Sequence, residues 1–180
     1  MSRAPARALP RKRGSENNLS IDVMVQSPLW KRQPHAAATI RKAIRTAAIV
    51  ASTPRAELAI VLTHDSAIRA LNRDWRGLDA PTNVLSFPAR PARGRKPART
   101  AQSAHLGDIV IAYQTMAREA KIEDKPFRHH LAHLAIHGYL HLLGYDHESD
   151  RDARTMERME VKILARLAVP DPYAARDAAS

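Results

Sequence analysis

The chain has 180 residues and 44% of them are hydrophobic, a length and composition that suit one globular domain with its own core. It contains no cysteine, which excludes disulfide bonds and thiolate metal ligands, so a metal site would have to use His, Asp or Glu. The net charge is +11, and the absence of cysteine fits a reducing cytoplasm.

The basic excess is concentrated in two segments rich in Pro, Ala and Arg. Residues 1–13 contain five Lys or Arg, residues 89–99 contain five more, and neither segment contains Asp or Glu. Both lack apolar periodicity, so we expect a disordered basic tail over residues 1–18 and a mobile basic loop over about residues 89–104. These segments are either solubilising tails or arms that attract RNA phosphates in a salt-dependent way.

Targeting and membrane segments are not indicated by the sequence. No stretch approaches the ~20 apolar residues of a transmembrane helix, and the N-terminus lacks the apolar region of a secretory signal. The Arg-rich start is similar to an organelle transit peptide, but Pro5 and Pro10 argue against the amphipathic helix of such a peptide. We therefore expect no membrane association.

Between residues 19 and 169 the sequence alternates strand and helix signals. Strands are predicted at residues 19–26, 57–63, 83–87 and 105–112. Helices are predicted at residues 35–51, from Asp65 or Ser66 to 75, at 113–121, from Pro126 to 143, and from Ser149 or Asp150 to 167. The order of these elements predicts an α/β (α+β) fold with a four-stranded, mixed, mostly parallel sheet and about five helices. We expect a single domain over residues 19–169, followed by a C-terminal tail over residues 170–180. The direction of the strand at 105–112 cannot be read from the pattern.

The segment HGYLHLLGYDH, residues 137–147, carries the clearest chemical signal. His137 and His141 are four residues apart, so they lie on one helix face about 6 Å apart along the axis and can share a metal ion. Gly144 can end that helix in the left-handed conformation, and His147 follows three residues later, placed to return to the pair. These three histidines are predicted to bind one zinc ion per chain at the end of a long helix, with a fourth coordination position left open for catalysis.

The alternative interpretation is a helix that merely contains many histidines. His129, His130 and His133 precede the pair at helical spacing, but no glycine bend accompanies them. We interpret these three as surface, substrate-groove or supporting residues, and His133 is a candidate for binding substrate.

The histidine spacing also resembles that of the metzincin proteases, whose pattern is His-Glu-x-x-His-x-x-Gly-x-x-His. The glutamate of that pattern is the general base of peptide hydrolysis. The corresponding position of this chain is Gly138, and this departure argues against a peptidase.

The same segment closely resembles the signature of the YbeY endoribonucleases, which are bacterial RNA maturation factors. Two further blocks support the resemblance, LNRDWRGLDAPTNVLSFP at residues 71–88 and LGDIVI at residues 106–111. Together the blocks cover about residues 57–167. The basic N-terminus and the segment 89–99 are not part of the pattern.

This resemblance implies a cytoplasmic, zinc-dependent endoribonuclease that prefers single-stranded RNA and associates with ribosomal components. It further implies maturation of the 3′ end of small-subunit rRNA and a role in ribosome quality control. It maps the zinc ligands onto His137, His141 and His147 and a functional arginine onto Arg76. A guanidinium can contact two phosphate oxygens at once, so Arg76 can stabilise the charge that develops during RNA cleavage.

Other residues of these blocks have more than one interpretation. Asn83 and Ser86 are candidates for binding substrate in the same cleft, although Asn83 equally suits a turn or a helix cap. Asp108 lies inside a strand and is expected to anchor backbone. Tyr139 and Trp75 can stack on bases, but we expect both to pack in the core.

The expected mechanism uses zinc to lower the pKa of a water toward ~7. The resulting hydroxide attacks the phosphodiester or deprotonates the ribose 2′-OH, while Arg76 stabilises the developing charge. No residue is identified as the general base. Two other classes of function remain: a non-enzymatic ribosome-assembly factor with structural zinc, and a metallopeptidase.

Overall fold

A computed structural model of the chain describes residues 19–89 and 104–174. Three predicted features lie outside these described residues: the basic tail at 1–18, the basic charges of the loop at about 89–104, and the end of the C-terminal tail. Within them, four strands form one sheet: β1 (Leu19–Val25), β2 (Ala56–Thr63), β3 (Val84–Pro88) and β4 (Ala104–Ala112).

The sheet is mixed and mostly parallel, as predicted. Its strand order is β1-β2-β4-β3, with β2 parallel to both of its neighbours and β3 antiparallel to β4 at the edge. The direction of β4, which the sequence pattern left open, is therefore parallel to β2. The close pairing of β3 with β4 requires glycine at 107, where a Cβ atom would lie 2.2 Å from the carbonyl oxygen of Phe87.

The described residues form five α-helices, which pack against the sheet or against one another, and a short 3-10 helix follows β1 at Pro28–Arg32. The predicted cap of the second helix is wrong, because the side chain of His64 accepts from the backbone N–H of Ala67, whereas Asp65 accepts from Thr115. The predicted cap Ser149 is confirmed by its bond from the N–H of Asp152. The helices are α1 (Ala36–Val50), α2 (Asp65–Arg76), α3 (Tyr113–Ile122), α4 (Phe127–Leu142) and α5 (Asp150–Ala165).

Helix α4 is central to the fold, because it contacts α1, α3, α5 and the two strands β3 and β4. Such a helix needs apolar side chains on most of its surface, and ten of its residues are buried. Tyr139 is fully buried within it and donates a 2.7 Å hydrogen bond to the hydroxyl of Thr53, which confirms the predicted core position. The packing holds α4 rigidly, so the histidines at its end have a fixed platform.

Two predictions about side-chain environment are wrong. Trp75 is 71% exposed and does not pack in the core: it lies at the C-terminal end of α2, and its ring makes an edge contact with Phe87. Asp108 does not anchor backbone: its Oδ1 lies 3.6 Å from Nε2 of His105, and both side chains are half exposed. No helix among residues 19–89 and 104–174 has the length and apolar character needed to cross a lipid bilayer.

Candidate metal centre

Three histidines converge where α4 ends. His137 and His141 lie one turn apart on α4, and Gly144 follows with a φ of +89°, a left-handed conformation that turns the chain back. His147 thereby returns to the pair, with its ring centroid 5.8 Å from that of His137 and 5.1 Å from that of His141. One ring nitrogen from each histidine lies within 4.8 Å of the other two, so the group can hold a metal ion.

The protonation of two of these rings is fixed by their hydrogen bonds. Nδ1 of His141 lies 2.9 Å from the carbonyl oxygen of Tyr145, which can only accept, so this nitrogen carries the proton. Nδ1 of His137 lies 2.8 Å from Oε1 of Glu160 and donates to that carboxylate. In its neutral form, each of these two rings presents a lone pair on Nε2.

Nε2 of His137 and Nε2 of His141 lie 3.1 Å apart. When both rings are neutral, two lone pairs meet here, and a cation bound by both nitrogens would make the contact favourable. Bonds of 2.0–2.1 Å in tetrahedral geometry would separate two ligand nitrogens by about 3.3 Å, close to the observed distance. Burial and the neighbouring charges of His137 and His147 lower the pKa of His141, which keeps its ring in the neutral form that binds metals.

Glu160 was not predicted as a site residue, but its carboxylate contacts the histidine cluster. Its carboxylate is fully buried on α5 and also accepts from His133, whose Nε2 lies 3.2 Å from Oε2, and from the hydroxyl of Tyr173. Burial raises the pKa of Glu160, but the hydrogen bonds from His133 and His137 outweigh it and bring the pKa to about 2. The carboxylate is thus ionised and orients His137, an arrangement common behind metal-bound histidines.

One signal in the sequence could have identified Glu160. The buried positions of α5 are Met156, Glu160, Ile163 and Leu164, which is helical spacing for a core-facing stripe. A glutamate inside such an apolar stripe needs a buried partner. Tyr173, which supplies one of those partners, belongs to the segment predicted as a C-terminal tail.

Gly138 has no space for the glutamate of the metzincin pattern. A Cβ atom built at this position would lie 2.9 Å from Cγ2 of Ile109 and 3.0 Å from Oγ of Ser86. The position therefore packs closely against β3 and β4. A glutamate side chain does not fit there unless these neighbours move.

Arg76 opens onto the same cavity as the three histidines, a cleft of about 720 Å³. It is the last residue of α2, is exposed, and is followed by Gly77 with a φ of +71°. Among the described residues it has no hydrogen-bond or ion-pair partner, whereas Arg69 of the same helix is held by Asp79 at 2.7 Å. Arg76 is thus a cation available to a ligand in the cleft.

The three candidate substrate-binding residues also line cavities at the cluster, but their polar atoms have internal partners. Asn83 donates to Oε2 of Glu119 at 2.8 Å and accepts from the N–H of Val84. Ser86 donates to the carbonyl oxygen of Gly138 at 3.1 Å. His133 lines a second cavity of about 410 Å³, which shares His137 and His147 with the cleft, and bonds to Glu160. Their contact with substrate stays a prediction.

Known proteins with similar sequences match the part of the chain that contains this site. A sequence profile of the family described as "Endoribonuclease YbeY" matches residues 26–168 of the chain. The Endoribonuclease YbeY of Bradyrhizobium diazoefficiens is 52% identical over 165 residues, which cover 90% of this chain and 90% of that protein. The Endoribonuclease YbeY of Nitrobacter hamburgensis is 53% identical over 160 residues, which cover 88% of this chain and 84% of that protein.

A solution structure of a Thermotoga maritima protein matches with a TM-score of 0.49 and 21% identity, covering 82% of this chain and 91% of that chain. The profile match includes the strands β2 to β4, the arginine at the end of α2 and all three histidines. The two bacterial relatives share about half of their residues with this chain over nearly its whole length. The chain therefore belongs to the YbeY family of endoribonucleases.

Proposed function

We propose that this protein is a zinc-dependent endoribonuclease that prefers single-stranded RNA. We further propose that it acts in the cytoplasm with ribosomal components, in maturation of the 3′ end of small-subunit rRNA and in ribosome quality control. The observation that carries the proposal is the convergence of His137, His141 and His147 in a cleft that Arg76 also lines. A metal site and an unpaired guanidinium in one cleft suit cleavage of a phosphodiester.

Zinc is the metal that the donor set favours. The ligands are three imidazoles, and the chain offers no cysteine, so the site matches the three-histidine form of catalytic zinc. When bound, zinc supplies a Lewis acid that activates water for attack at phosphorus or polarises the phosphate. The chain's own part is to hold the three ligand nitrogens in place through Glu160 and the carbonyl of Tyr145.

Arg76 has the second role in this proposal. Cleavage of a phosphodiester develops negative charge on the oxygens around phosphorus, and a guanidinium meets two of those oxygens at once. Its position at the end of α2 leaves the side chain free of internal ion pairs within the described part of the chain. We assign the activity to the domain at residues 19–169, with Tyr173 supporting the centre from the following segment.

The test is cleavage of a single-stranded RNA oligonucleotide with the small-subunit 3′-end sequence by zinc-loaded protein. We expect His141→Ala to abolish cleavage and Arg76→Ala to lower kcat about 100- to 1000-fold, a loss typical of a removed charge-stabilising group. His129→Ala and Arg73→Ala are the matched controls, since they change the same residue types on the same two helices outside the cluster.

The alternative classes give different results. Equal cleavage by wild type, His141→Ala and Arg76→Ala would refute the proposal. Stoichiometric zinc that does not exchange, without RNA cleavage, would indicate an assembly factor with structural zinc. Hydrolysis of peptides would indicate a metallopeptidase, which the packing around Gly138 opposes.

A further inference from the structure

Trp75 presents a large apolar ring to solvent beside the metal centre. Its side chain is 71% exposed, whereas the other tryptophan, Trp30, is 3% exposed and donates to the carbonyl oxygen of Thr63. Exposure of an aromatic ring is costly for a folded protein, because it leaves apolar surface in water. Such a ring gains free energy when an apolar ligand packs against it.

The position of Trp75 follows from the geometry of α2. Ile68 and Asn72 are buried on the inner face of this helix, and Trp75 continues that face one turn further on, past the edge of the core. The ring is supported from one side by Phe87, with centroids 5.5 Å apart and planes at 65°. This edge contact limits the freedom of the indole, while 71% of the residue stays exposed.

The open ring belongs to the cleft already described. Trp75 lines the cavity of about 720 Å³ together with Arg76 and the three histidines. It also lines a neighbouring apolar groove of about 660 Å³ with Met24 and Phe87. The ring therefore stands at the mouth of the cleft, next in sequence to the guanidinium that would meet a phosphate.

We infer that Trp75 is a stacking platform for an unpaired nucleobase of the RNA strand whose phosphate Arg76 contacts. This inference rests on the proposed function and adds a binding site to it. A nucleobase is a flat ring that suits an exposed indole. Trp75 and Arg76 line the same cavity, so a strand bound there would place a base on the indole and a phosphate at the guanidinium. Bases inside a duplex are already stacked on both faces, so only a single strand can use the platform.

Tryptophan fluorescence tests the inference without relying on cleavage. The probe is a 2′-O-methyl oligoribonucleotide, added to the zinc-loaded protein as a single strand or annealed to its complement. We expect the single strand to quench wild-type emission and the duplex to leave it unchanged. Trp75→Phe, which retains only the buried Trp30, should show no quenching with either probe.

Kinetics provide the second measurement. Trp75→Ala should raise KM for single-stranded RNA about 5- to 100-fold with kcat changed only a few-fold, the loss expected for one stacked base. Trp75→Phe should restore most of the affinity, because it keeps an aromatic face. Ile122→Ala is the matched control: this side chain is 77% exposed on α3 and does not line the cleft, so its KM should equal that of wild type.

Other results of these experiments would contradict either the stacking platform or the nuclease assignment. Equal quenching by duplex and single strand, or an unchanged KM for Trp75→Ala in an enzyme that cleaves RNA, would refute the stacking platform alone. Self-association that Trp75→Ala abolishes, with RNA binding unaltered, would identify a protein interface and also refute it. Quenching by the single strand with no RNA cleavage would support the platform and refute the nuclease assignment.

Discussion

The carboxylate of Glu160 lies 2.8 Å from Nδ1 of His137, so α5 is bonded directly to a ring of the metal centre. The carboxylate is fully buried, and a buried charge persists only when several donors surround it. The other carboxylate oxygen, Oε2, accepts hydrogen bonds from His133 and from the hydroxyl of Tyr173. Glu160 therefore fixes which nitrogen of His137 is available as a ligand.

Replacement of Glu160 should weaken metal binding before it changes the fold. Glu160→Gln retains the size of the side chain but replaces a charged acceptor, so the orientation and basicity of His137 are less well defined. We expect zinc affinity to fall about 10- to 100-fold, as is usual when the group behind a ligating histidine is removed. Competition with a chromophoric chelator measures the dissociation constant.

Glu57→Gln is the matched control for that experiment. Glu57 is exposed on β2 and lines neither cavity at the histidine cluster. Its zinc affinity should equal that of wild type. If Glu160→Gln also bound zinc as tightly as wild type, with circular dichroism unchanged, the carboxylate would have no role in orienting His137.

The strands and helices could be predicted from the sequence because their signals are local. The apolar alternation of residues 19–26 corresponds to β1 at Leu19–Val25, and Pro126 immediately precedes α4 at Phe127–Leu142. The parallel direction of β4 could not be predicted, because it depends on pairing with β2, which is distant in sequence. The cap at His64 was missed because an imidazole is a less common cap than Asp or Ser.

The same division holds at the candidate site. His137, His141 and Gly144 are close in sequence, and helix geometry together with one glycine turn determines how they meet. Glu160 and Trp75 have environments set by tertiary packing. One is buried where α5 meets α4, and the other is exposed near the C-terminal end of α2. Apolar periodicity identifies the apolar face of a helix, but it does not show whether a residue on that face lies in the core or at its exposed end.

Zinc should stabilise the folded protein through the three histidines. A ligand that binds only the native state adds about 4 kcal/mol when its concentration is 1000 times the dissociation constant. We expect Tm to rise on addition of zinc and to fall when EDTA is added. In His147→Ala, which lacks the ligand beyond Gly144, most of the zinc-dependent rise should disappear.

His129→Ala is the control for this stabilisation, because His129 lies on α4 outside the cluster. Its Tm should rise with zinc as that of wild type does. A full zinc-dependent rise in His147→Ala, seen by scanning calorimetry, would show that the third ligand is not His147.

The tight contact at Gly138 should make any side chain there destabilising. Gly138→Ala places a Cβ atom 2.9 Å from Cγ2 of Ile109, and overpacking of this kind costs about 1–3 kcal/mol of unfolding free energy. Gly138→Glu should be worse, because it also buries a charge. Urea denaturation measures both losses.

A double-mutant cycle tests whether Ile109 is the cause. Ile109→Ala alone should cost about 2–5 kcal/mol through the cavity it leaves. The double variant lacks the Ile109 side-chain atoms that the Cβ at position 138 would meet. Its loss of unfolding free energy should therefore be smaller than the sum of the two single losses. Additive losses would mean that the strain at position 138 is relieved elsewhere.

Glu119 should give the protein a component of stability that is lost in acid. Burial raises the pKa of Glu119, but hydrogen bonds from His130 and Asn83 outweigh it, so the pKa in the folded protein lies below its usual value. A carboxylate whose pKa is lowered by folding stabilises the native state fully above its unfolded pKa of about 4.3. That stabilisation disappears as the pH falls through the lower pKa of the folded state.

The free energies of unfolding of wild type and Glu119→Gln should therefore differ by a constant amount from about pH 7 down to about pH 5, and this difference should shrink on further acidification. Glu148→Gln is the matched control. It removes an exposed carboxylate that has no hydrogen bond within the described residues, so its difference from wild type should stay small at every pH. Urea denaturation across this pH range measures both differences. A difference for Glu119→Gln that is the same at pH 3.5 and pH 7 would show that the bonds from His130 and Asn83 do not favour the ionised carboxylate.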